Sequence, residues 1–241
     1  MKTYLWQITA KTNLHVGNEN TTSYGIIDKA VQRDVLTGLP CINSSSLKGA
    51  INEYCCSKQN GKEVMDEESR IKIFGSDKTG NNKTSNKGSA IFYDAHILYL
   101  PVQDEKNLFS YVTSNSVLEQ MKTRLELFEI KNINPIQFKV AGNRQYNKSS
   151  WLKENFTSLC SDINLPIIAR NELVNGVSKN LWYEQVVPAE TVFYAVIQEP
   201  DDTLANAINN KFIQIGANAT IGYGYCKFNL IYCNNGNEGK K

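Results

Sequence analysis

Apolar residues fall into short, separated runs along this chain, and their spacing switches between two periods. Residues 3–10 (TYLWQITA) are rich in β-formers and predict a strand. Between Asn13 and Pro40 the pattern dissolves, because Gly17, Gly25, Gly38 and the polar run NENTT break it; a long loop with short extended pieces is predicted. Leu47, Ala50, Ile51, Tyr54 and Cys55 then recur at helical spacing behind three candidate N-caps, Ser44, Ser45 and Ser46, which predicts a helix near 46–57. Residues 58–88 are polar, rich in Lys, Asn and Gly, and predict a mobile loop after Phe74-Gly75. Strand character returns over 89–102 (SAIFYDAHILYLPV). A second helix is predicted near 117–128, with Val117, Leu118, Met121, Leu125 and Phe128 on one face and Ser116 to Glu119 as a capping box.

The stretch 131–188 is less regular. It contains a short helix candidate (SWLKENFTSLC) and a hairpin turning at Asn175-Gly176 between IIARNELV and LWYEQVV. A strand at 190–198 follows, then a helix capped by Asp201 or Asp202 and running to about Lys211. FIQIG next leads through a glycine loop into YCKFNLIYC. Read in order, the elements are β-α-β, an insertion, then β-α-β. That predicts an α+β fold with a ferredoxin-like (RRM-like) βαββαβ core and long loops, the order also used by RNA-recognition domains.

Composition narrows this picture. With 241 residues and 41% hydrophobic content, the chain can bury the core of one elaborated domain. No run is long and apolar enough to span a bilayer, and the opening MKTYLWQITAKTN does not read as a secretory signal, so a soluble protein is expected. The cysteines include an adjacent pair, Cys55 and Cys56, and form no CxxC. With two histidines available, zinc ligation is poorly supported, and free thiols in a reducing cytoplasm are expected. A formal charge of +2 argues against nucleic-acid binding by general attraction. Any such site must be a local groove.

Three segments carry chemistry. Residues 14–54 hold a glycine-broken loop with one histidine, followed by the serine-preceded helix. Backbone N–H groups at that helix start, with Lys48 in its first turn, make an anion site, or else a plain capped helix with a solvated lysine. Residues 88–102 read as a core strand on their own. Residues 213–228 place Gly216, Gly222 and Gly224 in a turn that lets backbone approach a polyanion or bend tightly, and they lack the lysine of a P-loop.

Together these segments resemble the RAMP superfamily of CRISPR proteins, and most closely the repeated backbone subunit of type III-B (Cmr) effectors. The resemblance rests on Leu14-His15-Val16-Gly17, Gly25-Ile26-Ile27-Asp28 with Gln32-Arg33-Asp34, Thr37-Gly38-Leu39-Pro40 and Ser45-Ser46-Leu47-Lys48-Gly49-Ala50. Phe74-Gly75, Tyr93-Asp94-Ala95, Leu100-Pro101-Val102, Leu181-Trp182-Tyr183-Glu184 before Pro188, and the terminal glycine loop complete it. Two departures stand out: Ile42-Asn43-Ser44-Ser45-Ser46 replaces the usual Pro-Gly-Ser, and Tyr223 stands where a basic residue is common. The second shifts an RNA contact from charge pairing to stacking.

The resemblance implies a single domain over 1–241, with a palm of 1–130 and 189–241 and an inserted thumb over about 131–188. It implies crRNA and target RNA as partners, together with other copies of the chain, other subunits of the effector and its large signalling subunit, in the cytoplasm. Copies stack along the guide, and target RNA is cut at regular intervals by metal-dependent 2′-OH attack. Asp28 is then the catalytic residue and the ligand of a divalent cation, Mg²⁺ or Mn²⁺. His15, Tyr183 and Glu184 are possible catalytic support. The expected RNA-binding set is His15, Arg33, Ser45, Ser46, Lys48, Gly216, Gly222, Tyr223 and Gly224, with Asp34 orienting Arg33. Two alternatives stay open: a non-catalytic RNA-binding backbone subunit, and a metal-independent guide-processing endoribonuclease.

Overall fold

The computed structural model describes residues 1–17, 27–59, 61–76, 86–105, 108–133, 137–138 and 152–234. Gly25, Ile26, the NENTT run, Ser150, Trp151 and most of the polar run after Gly75 lie outside the described residues. In chain order the elements are β1 (Lys2–Ala10), β2 (Cys41–Ile42), α1 (Ser44–Cys56), β3 (Lys58–Gln59), β4 (Lys62–Glu63), α2 (Glu67–Phe74), β5 (Ile91–Phe92), β6 (Ala95–Asp104) and β7 (Leu108–Val112). There follow α3 (Asn115–Glu126), α4 (Phe156–Leu159), β8 (Ile167–Val174), β9 (Val177–Gln185), β10 (Val192–Glu199), α5 (Thr203–Ile208), β11 (Phe212–Gln214) and β12 (Tyr225–Asn234).

The fold is mixed α and β around a curled antiparallel sheet in the order β11-β12-β1-β10-β6-β2, with β5 on β10 and β7 on β6. β1 lies at the centre, pairing Trp6 with Ala195 on one side and with Leu230 on the other. Its residues from Thr3 to Ala10 are all buried. Burial on both faces is why TYLWQITA reads as a nearly continuous apolar run instead of an alternating one. Its buried polar pair satisfies itself, Gln7 Nε2 donating to Thr9 Oγ1 at 2.9 Å. Truncating a fully buried Trp6 in this strand is worth about 3–5 kcal/mol of stability.

Helix starts differ from expectation in which residues cap them. α1 begins at Ser44 and the serines do not cap it; Asp94 Oδ1, fifty residues away, accepts from Ser44 N at 2.6 Å. α3 is capped by Ser114, whose Oγ accepts from Val117 N at 3.2 Å, so the Ser116–Glu119 box falls inside the helix. α5 ends at Ile208, short of Lys211; Asp202 is its N-cap residue without a side-chain bond, Asp201 Oδ1 accepts from Thr203 N at 3.1 Å as an aspartate cap does, and the Glu199 carboxylate accepts from Leu204 N and Ala205 N at 2.8 Å each. Burial outweighs those bonds and pushes the Glu199 carboxyl up to about 7.

α2 lies in the polar stretch and was not foreseen. Asp66 caps it through Ser69 N at 2.8 Å, Glu67 and Glu68 sit in its first turn and Lys72 in its last. Only Ile73 and Phe74 are buried on it, Phe74 stacking on Phe92 at 5.7 Å. The expected strand over 89–102 is two strands, β5 and β6, parted at Tyr93-Asp94.

The hairpin of β8 and β9 forms as the sequence predicts. Asn175 and Gly176 have φ of 51° and 79°, the left-handed pair that a two-residue hairpin turn needs. Its outer part is exposed, including Leu173, Val174, Val177 and Leu181.

Candidate functional site

The base of the hairpin is where separate motifs meet. Residues 28 and 29 lie alongside β9: Asp28 N and Lys29 N both donate to Tyr183 O, at 3.0 and 3.1 Å, and Gln185 N donates to Lys29 O at 2.9 Å. The Asp28 carboxylate closes the arrangement, Oδ2 accepting from Tyr183 N at 2.7 Å. Lys29 Nζ stands 5.2 Å over the Trp182 ring. Asp28 and Tyr183 are exposed.

Beneath this surface lies a buried network. Glu184, 2% exposed, accepts from Asn218 Nδ2 at 2.6 Å and from Arg170 Nε at 3.1 Å, and faces His15 Nε2 at 3.5 Å. His15, 3% exposed, places Nδ1 2.7 Å from Gln185 O. A carbonyl oxygen can only accept, so Nδ1 carries the proton. The Arg170 guanidinium covers the Tyr223 ring at 4.7 Å. A buried carboxylate needs partners of this kind, because an unpaired one costs several kcal/mol. Glu184 therefore locks β9 to β8, to the His15 segment and to the glycine loop. It does not reach solvent.

The glycine loop is packed inward. A Cβ on Gly216 would lie 2.2 Å from His15 O, and one on Gly224 would lie 2.0 Å from Ile215 O, so both positions exclude side chains. Ala217 N donates to His15 O at 2.9 Å and Gly224 N to Asn13 O at 2.8 Å. Gly222 is exposed at the end of a 3-10 turn, Ala219–Ile221. The half-buried Tyr223 already carries Arg170 on its ring. Close backbone packing accounts for Gly216 and Gly224.

The helix start gives a different surface. Ser45 and Lys48 line a broad groove of about 470 Å³ together with Asn52, Ser76 and Lys87. Ser45 is exposed, Ser46 half-buried. Asp94 occupies the Ser44 amide, so an anion there has the later amides and two lysines to meet it.

Arg33 and Asp34 have other duties than those expected. Arg33 Nη1 donates to Gly38 O at 2.8 Å and Cys160 O at 2.7 Å, and Nη2 pairs with Asp162 Oδ1 at 2.8 Å. Its guanidinium ties the loop to the α4 region. Asp34 does not orient Arg33. Its Oδ1 accepts from Leu36 N, Thr37 N and Thr37 Oγ1, and its Oδ2 meets Arg124 at 3.1 Å and His96 at 3.5 Å. Arg124 and the half-exposed cavity behind it were missed by sequence reasoning; Arg124 reads there as one more polar position on α3.

For a divalent ion, Asp28 offers one exposed oxygen-donor carboxylate, and no group of three His, Cys, Asp or Glu able to hold a metal occurs among the described residues. One carboxylate alone holds Mg²⁺ weakly, and the ion completes its shell with water and substrate phosphates.

The geometry defines a class of protein: an α+β sheet scaffold from which a hairpin projects, with an exposed aspartate, Asp28, locked to the hairpin base. The profile of the RAMP superfamily matches residues 7–227, and the chain belongs to that superfamily. It is 28% identical to the CRISPR system Cmr endoribonuclease Cmr4 of Pyrococcus furiosus over 292 aligned positions, covering 95% of this chain and 96% of that one. The crystal structure of oligomeric Cmr4 from Pyrococcus furiosus matches with TM-score 0.66 at 24% identity, covering 96% of this chain and 98% of that one. The type III-B Cmr-beta structure bound to cognate target RNA matches with TM-score 0.71 at 20% identity, covering 95% and 97%. No helix among the described residues is long and apolar enough to cross a membrane.

Proposed function

We propose that this chain is a guide-RNA-binding backbone subunit of a type III CRISPR ribonucleoprotein, and that it cuts target RNA at the loop carrying Asp28. One observation carries the reading: Asp28 is an exposed carboxylate fixed in place by Tyr183 at the base of the projecting hairpin. Its chain neighbour Lys29, exposed over the Trp182 ring, supplies positive charge beside it. Copies of the chain stack along the crRNA in the cytoplasm, beside other effector subunits including the large signalling subunit.

The palm, 1–130 and 189–241, holds the guide, and the thumb, about 131–188, projects from the same domain. The sheet order β12-β1-β10-β6, with α1 after β1 and α5 after β10, supports a ferredoxin-like (RRM-like) core for that palm. Lys48, Ser45 and Ser46 contact guide phosphates in the groove at the start of α1. His15, Arg33, Tyr223 and the two packed glycines contribute from within, by holding backbone in place.

In cleavage the 2′-oxygen of the target attacks the adjacent phosphorus in line, the bond to the 5′-oxygen breaks, and a 2′,3′-cyclic phosphate and a 5′-hydroxyl remain. In this reading Asp28 takes the 2′-hydroxyl proton or holds a cation; a positioned acid or base contributes roughly 10²–10⁴-fold. A divalent cation, Mg²⁺ or Mn²⁺, would be held by Asp28 and would supply charge neutralisation at the phosphate. Exposed Leu173, Val174 and Leu181 make the hairpin an apolar wedge that sets the interval between cuts.

A second reading, a non-catalytic backbone subunit, is favoured by the same bond, because accepting from Tyr183 N is also what a loop cap does. The two separate in the assembled ribonucleoprotein. With Asp28→Asn, the first expects loss of target cleavage with guide and target affinities within about tenfold; the second expects unchanged cutting or failed assembly. Guide processing by His15 is disfavoured by its burial.

A further inference from the structure

The residue after Asp28 is fixed along β9 as firmly as Asp28 itself. Lys29 and Glu184 form a parallel bridge, with Lys29 N donating to Tyr183 O at 3.1 Å and Lys29 O accepting from Gln185 N at 2.9 Å. The Lys29 side chain therefore leaves from a backbone held on both sides, and its Nζ lies 5.2 Å from the centre of the Trp182 ring. That ring is anchored in turn. Trp182 pairs with Arg170 in the hairpin ladder, is half-buried, and turns its Nε1 away from solvent.

Asp28 and Lys29 are adjacent and of opposite charge, yet β9 holds each of them separately: Tyr183 N binds the carboxylate at 2.7 Å, and the Trp182 face receives the ammonium. Among the described residues Lys29 forms no ion pair. Nearby cations are committed elsewhere, Arg170 to Glu184 and the Tyr223 ring, Arg33 to Gly38 O, Cys160 O and Asp162. His15 is buried. Lys29 is exposed, and at an exposed site a ring face attracts an ammonium weakly. Trp182 thus orients Lys29 without withholding it from a phosphate.

We propose that Lys29 is a catalytic residue, whose ammonium donates to a non-bridging oxygen of the scissile phosphate and stabilises the negative charge that grows there during cleavage. The proposal rests on the reading that Asp28 marks the cleavage site. In this step the bond from the 2′-oxygen to phosphorus forms, the bond to the 5′-oxygen breaks, and its electron pair leaves with that oxygen. The 2′-hydroxyl gives up its proton, the 5′-oxygen takes one from water, and Lys29 keeps its own protons throughout. A donor oriented before the reaction needs no rearrangement as the charge appears, and removing one such donor costs about 10²–10³-fold in rate.

The test uses the assembled ribonucleoprotein, with single-turnover cutting at saturating target RNA and filter binding alongside. Lys29→Ala and Lys29→Gln are expected to slow cutting by about 10²-fold, with target affinity within about threefold of the unaltered protein. Lys29→Arg, which keeps the charge and can stack on Trp182, should cut within about tenfold of it. Targets with sulfur in place of one or the other non-bridging oxygen give a readout that a merely structural role would not move. One of the two should be cut slowly by the unaltered protein, without recovery in Mn²⁺, and that sulfur penalty should vanish in Lys29→Ala. Native cutting rates in both neutral variants, or a sulfur penalty unchanged in Lys29→Ala, overturn the proposal and leave the role of Asp28 standing. Cutting by Asp28→Asn at the native rate overturns the cleavage-site reading, and the proposal with it.

Discussion

Asp28 and Asp34 lie six residues apart in the same irregular segment, and the fold uses them in opposite ways. Asp34 is largely buried, and both of its oxygens are occupied, by the Thr37 turn on one side and by Arg124 and His96 on the other. Burial opposes its ionisation, but the Thr37 bonds, then Arg124 and His96, outweigh that and hold its carboxyl below the ordinary aspartate range. Asp28 is exposed, with its side chain tied at one oxygen to Tyr183 N. A carboxylate satisfied on both oxygens is structure. One fixed at a single oxygen, at a surface, is oriented and still able to meet a substrate.

The contrast can be broken at several points, from the largest expected effect down. Glu184 supports Asp28 from below, through Tyr183 and β9. Glu184→Ala leaves Arg170 without its buried partner and should cost about 3–5 kcal/mol, read as a lower urea midpoint at unchanged slope. A loss under about 1 kcal/mol would mean the network does not hold the site together.

The Asp34 side has a pH signature. Burial, reinforced by Arg124, pushes His96 down to about 4, so the folded state keeps it neutral where the unfolded chain protonates it near 6.5. The unfolded state binds more protons across that window, and stability therefore rises from about pH 4 to 6.5 and is then flat. The contribution is on the order of 3 kcal/mol. Glu199, raised to about 7, has the opposite slope between 4.5 and 7, so the readout is the difference between the unaltered chain and His96→Gln. That difference should grow as pH falls below 6.5; a constant offset would contradict it.

The smallest effect belongs to the helix start. Lys48→Ala should weaken every guide alike and reduce the salt slope of binding by about 1. Losses that depend on guide sequence would move the phosphate contact elsewhere.

Local signals were legible in the sequence and long-range partners were not. The hairpin was readable because Asn175-Gly176 fits the left-handed turn, and β1 because strand formers run unbroken through a doubly buried position. The placement of Asp28 in an irregular stretch between β1 and α1 was readable too. By contrast, α2 buries little, and its signal lay in its caps: Asp66 before Glu67 and Glu68, Lys72 in the last turn, Gly75 at the end. Arg33 looked like a phosphate ligand because its acceptors, Cys160 O and Asp162, are more than 120 residues away. The serines that open α1 looked like caps because Asp94, which takes the Ser44 amide, is equally invisible to local pattern. His15 and Glu184 were picked as site residues. Their burial, and the network joining them to Asn218 and Arg170, needed the fold.

The most direct test puts the two aspartates side by side. Asp28→Asn and Asp34→Asn ribonucleoproteins, prepared identically, would be assayed for cleavage of an end-labelled target and for urea stability. The account predicts that Asp28→Asn loses cleavage by at least about 100-fold with a midpoint near the unaltered protein's. Asp34→Asn should lose stability by about 1–3 kcal/mol and cut at close to the native rate wherever it is folded. The reverse pattern, with Asp28→Asn cutting normally and Asp34→Asn inactive while folded, would contradict it.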